Sequence, residues 1–170
     1  MPAVAVVLLP LDMEILRTRL GIDDFRLTRS VGGKPVSLHF GPEFPGDALA
    51  LYPSLLEAAG KAGSVEGSFI VIDSSSGEVV GQIGSLGAPE GDEVEIGYGI
   101  NASAHGRGIA TTSVALLIDA LRKRPGVGRI VARTAVANPA SGRVLEKNCF
   151  VVTGRASSDE GELLSWTHTG

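Results

Sequence analysis

A glycine-rich turn between an alternating segment and an apolar-periodic segment constrains this chain more than any other feature. Residues 93–100 alternate in polarity and indicate a β-strand, whereas residues 110–121 carry apolar side chains at helical spacing. Between them, Gly106 and Gly108 flank Arg107. Such glycines let the backbone approach a ligand closely, and a helix start presents unpaired N–H groups and the positive end of its dipole. The turn therefore predicts a cradle for a phosphate or pyrophosphate group.

Two common phosphate-binding turns fit this segment poorly. The nucleoside-triphosphate loop has lysine and then serine or threonine after its last glycine, where this chain has Ile109 and Ala110. The dinucleotide-binding turn needs a third small residue and an acid about twenty positions later, at the end of the next strand, and the predicted strand 129–136 carries no acid. Both alternatives are weakened but stay open, as does a turn that merely joins a strand to a helix.

Composition narrows the class of protein. A chain of 170 residues is long enough for one domain, 1–170, with a sizeable core. Its formal net charge of −4 argues against sequence-independent binding of nucleic acid. One cysteine and three scattered histidines give no metal-ligand spacing, so no metal is expected. Because Cys149 has no partner for an internal disulfide, we expect a reducing, cytoplasmic location. We expect Cys149 itself to be a small core residue, since a free cysteine behaves as a small apolar side chain.

The apolar run at the amino terminus is predicted to be a buried strand. Residues 3–9 are too few to span a bilayer, and Pro10 and Asp12 follow them. No membrane partner is therefore expected.

The rest of the sequence predicts a β meander, then a βαβα segment, and then a hairpin. Strands are expected near residues 4–9, 68–73, 78–84, 93–100, 129–136, 149–153 and 163–168. Helices are expected near residues 12–20, 49–61, 110–124 and 139–147, with Asp12 and Asn138 as N-caps and with Leu20 and Leu51 facing inward. Residues 21–46 contain several glycines and prolines and are expected to be irregular.

Three sequence motifs follow one another along the chain: residues 95–100 (Glu-Ile-Gly-Tyr-Gly-Ile), 106–111 (Gly-Arg-Gly-Ile-Ala-Thr) and 138–150 (Asn-Pro-Ala-Ser-Gly-Arg-Val-Leu-Glu-Lys-Asn-Cys-Phe). In this order and spacing they resemble the GNAT superfamily of acetyl-CoA-dependent N-acetyltransferases. Within the superfamily the pattern is most similar to the RimJ/RimL-type branch. The resemblance covers residues 68–168 well and the first 65 residues by element order. It implies an α+β (mixed α/β) fold, with a central, mostly antiparallel, splayed mixed sheet of about seven strands flanked by about four helices.

The resemblance also implies acetyl-CoA as co-substrate and no metal. The family's pyrophosphate loop reads Gln/Arg-x-x-Gly-x-Gly/Ala, and here His105 stands at its first position. The backbone donors of the loop are kept. The edge of the preceding strand is expected to pair with the amides of the pantetheine arm, and Asn138 matches an asparagine that contacts the cofactor. The expected cofactor-binding residues are Tyr98, Gly99, Ile100, His105, Gly106, Arg107, Gly108, Ile109, Ala110, Thr111 and Asn138.

Acetyl transfer from a thioester to an amine needs a proton acceptor for the amine and benefits from a donor to the departing thiolate. Many relatives carry an acid at the position of Glu95, which is the expected base; the alternative is that Glu93 and Glu95 form a solvated strand face. Leu145 stands where many relatives have a tyrosine acid. The RimJ/RimL-type branch has a serine at the position of Ser141, which is either the thiol-side donor or a first-turn residue that bonds the local backbone.

The resemblance implies an N-acetyltransferase that transfers the acetyl group directly to a primary amine, either a protein amino terminus or a small molecule, in a ternary complex. The alternative is a non-catalytic module that binds or senses acyl-CoA. Two departures from the family pattern favour it: Leu145 stands in place of the tyrosine acid, and His105 stands in place of the usual first residue of the pyrophosphate loop. The sequence does not identify the amine acceptor. We expect a monomer or homodimer, with no nucleic acid or membrane as partner.

Overall fold

The computed structural model describes residues 5–87 and 89–170, over which strands and helices alternate much as the sequence predicts. The strands are β1 (Val6–Pro10), β2 (Phe25–Val31), β3 (Lys34–Phe40), β4 (Ser68–Asp73), β5 (Glu78–Ser85), β6 (Glu93–Ile100), β7 (Arg129–Ala135), β8 (Phe150–Ser158) and β9 (Gly161–His168). The α-helices are α1 (Met13–Gly21), α2 (Tyr52–Ala62), α3 (Ile109–Arg122) and α4 (Pro139–Lys147). The predicted start of the first strand, at Val4, lies outside the described residues.

The strands form one mixed sheet, and this confirms the predicted mixed α/β fold. The main path has the order β1-β4-β5-β6-β7-β9-β8, while β2 and β3 lie off this path. β6 and β7 run parallel, whereas β1 with β4, β7 with β9, and β8 with β9 are antiparallel. The expected seven strands thus correspond to the main path, and the β2–β3 pair is additional.

That additional pair corrects the prediction that residues 21–46 are irregular. β2 and β3 form an antiparallel hairpin in which Val31 pairs with Lys34. Gly32 and Gly33 connect them with φ values of 59° and 81°, and two positive φ angles in a two-residue loop match the right-handed twist of the strands. The strands also alternate in burial, so a Gly-Gly loop between alternating segments was the missed signal.

The chain divides into two compact units, and the first comprises residues 5–83 and 98–109. Its core is a cluster of apolar and aromatic residues: Leu11, Ile15, Leu16, Leu38, Phe40, Phe44, Tyr52, Ile70, Ile72 and Val79. Asp12 caps α1 as predicted, because its Oδ1 accepts a hydrogen bond from the Ile15 N–H at 2.9 Å. Leu20 and Leu51 were predicted to face inward, and this is wrong, because they are 43% and 51% exposed.

A histidine between two carboxylates joins the hairpin to the sheet in this unit. His39 on β3 stands opposite Glu78 on β5. Its Nδ1 lies 2.8 Å from Glu78 Oε2, and its Nε2 lies 2.9 Å from Asp24 Oδ1. Only a protonated ring can donate to both carboxylates. The hydrogen bond to Asp24, which has the largest effect, and the hydrogen bond to Glu78 therefore raise the pKa of His39 above its ordinary value of 6.5.

We expect His39→Gln to destabilise the protein most at mildly acidic pH. A raised folded-state pKa contributes stability that is fully present below the unfolded pKa and is lost as pH rises through the folded one. The free energy of unfolding should therefore fall by on the order of 1 kcal/mol at about pH 6 and by little at about pH 9. Urea denaturation across this range measures the difference between variant and wild type.

His168→Gln is the matched control for that measurement. Burial has the largest effect on His168 and lowers its pKa, and the nearby Arg122 lowers it further. Protonation of this ring therefore reduces the free energy of unfolding as pH falls. Its substitution should reduce acid sensitivity instead. A stability difference for His39→Gln that does not change with pH would contradict the interpretation.

The second unit comprises residues 84–87, 89–97 and 110–170. Trp166 is buried, and its Nε1 donates to Thr134 Oγ1 at 2.9 Å. A Cβ at Gly142 on α4 would lie 3.1 Å from the indole, so glycine suits this close packing. The prediction that Cys149 is a core residue is wrong. It is exposed and has a φ of 63°, a conformation that favours glycine.

Candidate active site

The glycine turn of the sequence forms a strand–turn–helix unit. A 3-10 turn, Ala102–Ala104, follows β6, and α3 begins at Ile109. Gly106 and Gly108 have φ values of 77° and 75°. A Cβ at either position would meet no atom within 4 Å. Glycine is thus required here by backbone conformation, and open space beside both residues leaves the main chain accessible. This arrangement fits an anion that binds main-chain N–H groups.

The side chains of His105 and Arg107, which flank Gly106, both contact other parts of the protein. His105 places Nε2 at 2.7 Å from the Ile100 carbonyl oxygen. Arg107 donates from Nη2 to Asp73 Oδ2 at 2.6 Å. Asp73 is the last residue of β4. Both contacts therefore lie within the first compact unit, which also contains the turn.

The segment Tyr98 to Ile100, predicted to face the pantetheine arm, packs closely on β5. A Cβ at Gly81 would collide with the Gly99 carbonyl oxygen. Just beyond the segment, the Asn101 N–H donates to the Val80 carbonyl oxygen at 2.7 Å. Gly81 thus permits an approach that a larger residue would block. Tyr98 and Ile100 are half-buried, and Gly99 is exposed.

The first turn of α3 is held by a residue that sequence reasoning missed. Asn148, which is buried and caps the end of α4, donates from Nδ2 to the Thr111 carbonyl oxygen at 3.1 Å. The same nitrogen donates to the Val144 carbonyl oxygen at 3.0 Å. The side chain therefore joins the end of α4 to the start of α3. Ala110 and Thr111 are half-buried.

Glu95 is engaged in an ion pair. Arg133 on β7 donates from Nε to Glu95 Oε1 at 3.1 Å and from Nη2 to Oε2 at 2.9 Å. This contact raises the pKa of Arg133. The Glu95 side chain is 23% exposed. Two residues earlier, on the same face of β6, Glu93 forms an ion pair in which its Oε2 lies 3.2 Å from Arg129 Nε. Glu95 is thus a partly shielded carboxylate with a fixed orientation.

Asn138 and Ser141 lie together at the start of α4. The Ser141 N–H donates to Asn138 Oδ1 at 3.3 Å, so the predicted N-cap is confirmed. Asn138 is exposed and Ser141 is half-buried. Leu145, at the position where a tyrosine acid was considered, is fully buried. A side chain at position 145 thus serves the core.

Comparison with known proteins decides the family. The family described as Acetyltransferase (GNAT) domain matches residues 40–151, which include the turn, Glu95, Asn138 and Ser141. The chain belongs to the GNAT family.

One similar protein resembles this chain in sequence, and two solved structures resemble it in fold. The uncharacterized N-acetyltransferase YjdG of Bacillus subtilis (strain 168) is 33% identical over 91 residues, which are 53% of this chain. The match spans about half of that relative, 54% of its length. A chimera of spermidine N-acetyltransferase SpeG from Vibrio cholerae and hSSAT superposes with a TM-score of 0.66, at 16% identity, over 96% of this chain and 94% of the other. A GNAT-family acetyltransferase from Bacillus anthracis gives a TM-score of 0.57, at 19% identity, over 71% and 72%. At these identities the two structures support the fold alone.

The GNAT site residues named from sequence fall into separate groups. Tyr98 to Ile100 and His105 to Ile109 belong to the first unit, together with Asp73 and Gly81. The second unit contains the Glu95–Arg133 pair, the Asn138–Ser141 cap, and Ala110 and Thr111 with Asn148. Sequence reasoning missed Asp73, Gly81, Arg133 and Asn148, because their partners are remote in sequence.

Within residues 5–87 and 89–170, no group of three or more His, Cys, Asp or Glu side chains is arranged to hold a metal ion. In the same part of the chain, no helix combines the length and apolar character that crossing a bilayer requires.

Proposed function

We propose that this GNAT chain transfers the acetyl group of acetyl-CoA to a primary amine by direct attack within a ternary complex. The observation that carries the proposal is the glycine turn, whose two left-handed glycines leave the main chain open directly before α3. A pyrophosphate suits this position because it accepts several N–H bonds and carries the charge that a helix start favours. The residues proposed for cofactor binding are Tyr98, Gly99, Ile100, His105, Gly106, Arg107, Gly108, Ile109, Ala110, Thr111 and Asn138.

The chemistry assigns one role to each of two side chains. The amine nitrogen attacks the thioester carbon, and its proton passes to Glu95, directly or through a water molecule. The carbon–sulfur bond then breaks with its electron pair on sulfur. The Ser141 hydroxyl donates a hydrogen bond to the developing thiolate. Arg133 supports the first role by fixing the orientation of the Glu95 carboxylate.

The serine three residues after Asn138 favours the RimJ/RimL-type branch, whose acceptors are protein amino termini. The spermidine named for the SpeG structures adds a polyamine as a small-molecule alternative. We propose one domain over residues 1–170, acting as a monomer or homodimer in the cytoplasm, with no nucleic acid, membrane or metal as partner.

A non-catalytic acyl-CoA-binding module is the second candidate. Two observations favour it: Leu145 is part of the core, and Arg133 occupies both carboxylate oxygens of Glu95. Such a module would bind acetyl-CoA and release no CoA with any amine.

Release of free CoA from acetyl-CoA separates the two functions. The assay should include amino-terminal peptides, spermidine and simple primary amines, with calorimetry of acetyl-CoA binding in parallel. Amine-dependent CoA release supports the enzyme. Binding without release across the whole panel supports the module, and absence of binding contradicts both.

We expect Ser141→Ala to lower kcat by about tenfold to a hundredfold, the equivalent of one hydrogen bond to a charged group. The interaction forms as charge develops on sulfur, so KM for acetyl-CoA should change little. The variant keeps its cap, because Asn138 accepts from the main-chain N–H of residue 141. Its thermal midpoint should therefore stay close to that of the wild type.

Asn138→Ala is the control for the stability part of the Ser141→Ala experiment. It removes the cap acceptor and should cost about 1 kcal/mol of stability. If Ser141 serves only the helix, its substitution will lower the thermal midpoint and leave kcat unchanged.

A further inference from the structure

Asp73 is a buried carboxylate at the carboxyl end of β4. Its side chain is 4% exposed. Oδ1 accepts from the Ser75 N–H at 3.1 Å and from Ser75 Oγ at 2.6 Å, while Oδ2 accepts from Arg107 at 2.6 Å. The Ser75 hydroxyl lowers the pKa of Asp73 most, and Arg107 adds to this against the opposing effect of burial. A carboxylate so far from water is costly unless its hydrogen bonds are satisfied, so its geometry is firmly set.

Arg107 transmits that geometry to the glycine turn. It stands between Gly106 and Gly108, which have no side chains of their own to hold the backbone. A residue between two glycines with positive φ has wide conformational freedom unless something else restrains it. The guanidinium–Asp73 contact restrains Arg107 itself, next to the contact of His105 with the Ile100 carbonyl oxygen, and it ties the turn to a strand 34 residues earlier in the sequence.

We propose that Asp73 is a positioning residue for acetyl-CoA. It holds Arg107 against β4, so that the turn presents main-chain N–H groups, rather than a cationic side chain, to the pyrophosphate. This inference rests on the proposed function. The existing ion pair supports this role over direct contact between Arg107 and phosphate. The guanidinium is already paired with a buried anion, and its departure would leave Oδ2 of Asp73 without that donor.

The test is a double-mutant cycle with acetyl-CoA as the probe. Asp73→Asn, Arg107→Gln and the double variant are compared with the wild type in calorimetric Kd, kcat and KM. Each single variant should weaken acetyl-CoA binding about tenfold, the scale of one charge-assisted hydrogen bond. The double variant should be no weaker than either single variant, because both substitutions remove the same restraint. KM for acetyl-CoA should rise, while kcat at saturation and KM for the amine stay unchanged.

Ser75→Ala is the matched control. It removes the strongest other donor to Asp73 but leaves Arg107 in place. It should lower the thermal midpoint and, because the Arg107–Asp73 contact remains, weaken acetyl-CoA binding much less than Asp73→Asn does. Should Asp73→Asn fail to fold, Arg107→Gln and Arg107→Lys still test the inference, because Arg107 is 42% exposed. Lysine has the charge without the guanidinium geometry, and a rescue of affinity by lysine would contradict a specific contact with Asp73.

The outcomes separate the possibilities. A Kd unchanged in both single variants, with a lower thermal midpoint, makes the pair merely structural and overturns the proposal. A loss in Arg107→Gln at least tenfold greater than in Asp73→Asn places the guanidinium on the phosphate and also overturns it. If the wild type does not bind acetyl-CoA, the proposed function itself fails, and that result is distinct from the other two.

Discussion

Replacing Glu95 with glutamine is expected to lower kcat by about 10²–10⁴-fold, the range for loss of a general base. The amide is close in size to the carboxylate but does not accept the proton of the attacking amine. Binding of acetyl-CoA should remain, since Glu95 is not among the residues proposed for that role. Steady-state kinetics with the best amine of the CoA-release panel, together with calorimetry, measures both quantities.

Glu93→Gln is the control that makes the Glu95 result interpretable. Glu93 and Glu95 lie on the same face of β6, and each pairs with an arginine of β7. Both substitutions weaken a similar ion pair, and ion pairs this exposed contribute about 0–1 kcal/mol. Only Glu95→Gln should reduce kcat strongly. Equal and small effects from both would make this face of β6 a set of solvated ion pairs and would exclude Glu95 as the base.

Arg133→Gln distinguishes the base from its orienting partner. It removes the two donors to Glu95 and keeps the carboxylate. If Glu95 accepts the proton, this variant should retain much more activity than Glu95→Gln. Equal losses would instead mean that the ion pair, and not a free base, supports turnover.

The second large effect is expected from Gly108→Val, which should weaken acetyl-CoA binding by on the order of 10²-fold or more, about two charge-assisted N–H bonds. Gly108 has a φ of 75°, and a β-branched residue is strongly disfavoured there. The added side chain would also occupy the open space beside the turn. Calorimetry with acetyl-CoA measures the loss.

Backbone strain alone could lower the stability of that variant, so it needs a control with the same strain. Gly126, which follows α3, has a φ of 84°, and a Cβ added there would likewise meet no atom within 4 Å. Gly126→Val should therefore cost a similar amount of stability, at least about 1–2 kcal/mol, and leave the Kd for acetyl-CoA unchanged. Wild-type affinity in a folded Gly108→Val variant would refute the proposed pyrophosphate site.

Local signals in the sequence were enough to predict most elements. The apolar periodicity of α3, the Asn-Pro start of α4 and the Asp12 cap each depend on neighbours within one or two helical turns. The glycine turn was predicted for the same reason, because left-handed residues at positions 106 and 108 are a local requirement of the chain. The Gly32-Gly33 loop was an equally local signal that was interpreted wrongly.

The order of the elements, their caps, and the turn with its GNAT motifs thus follow from the sequence alone. The tertiary structure sets which side chains meet: Arg107 with Asp73, Glu95 with Arg133, and Asn148 with Thr111. It also decided that Cys149 is exposed and that Leu145 is buried. The physical reason is that periodicity and turn preferences depend on nearby residues, whereas pairing and burial depend on which distant strands and helices become neighbours.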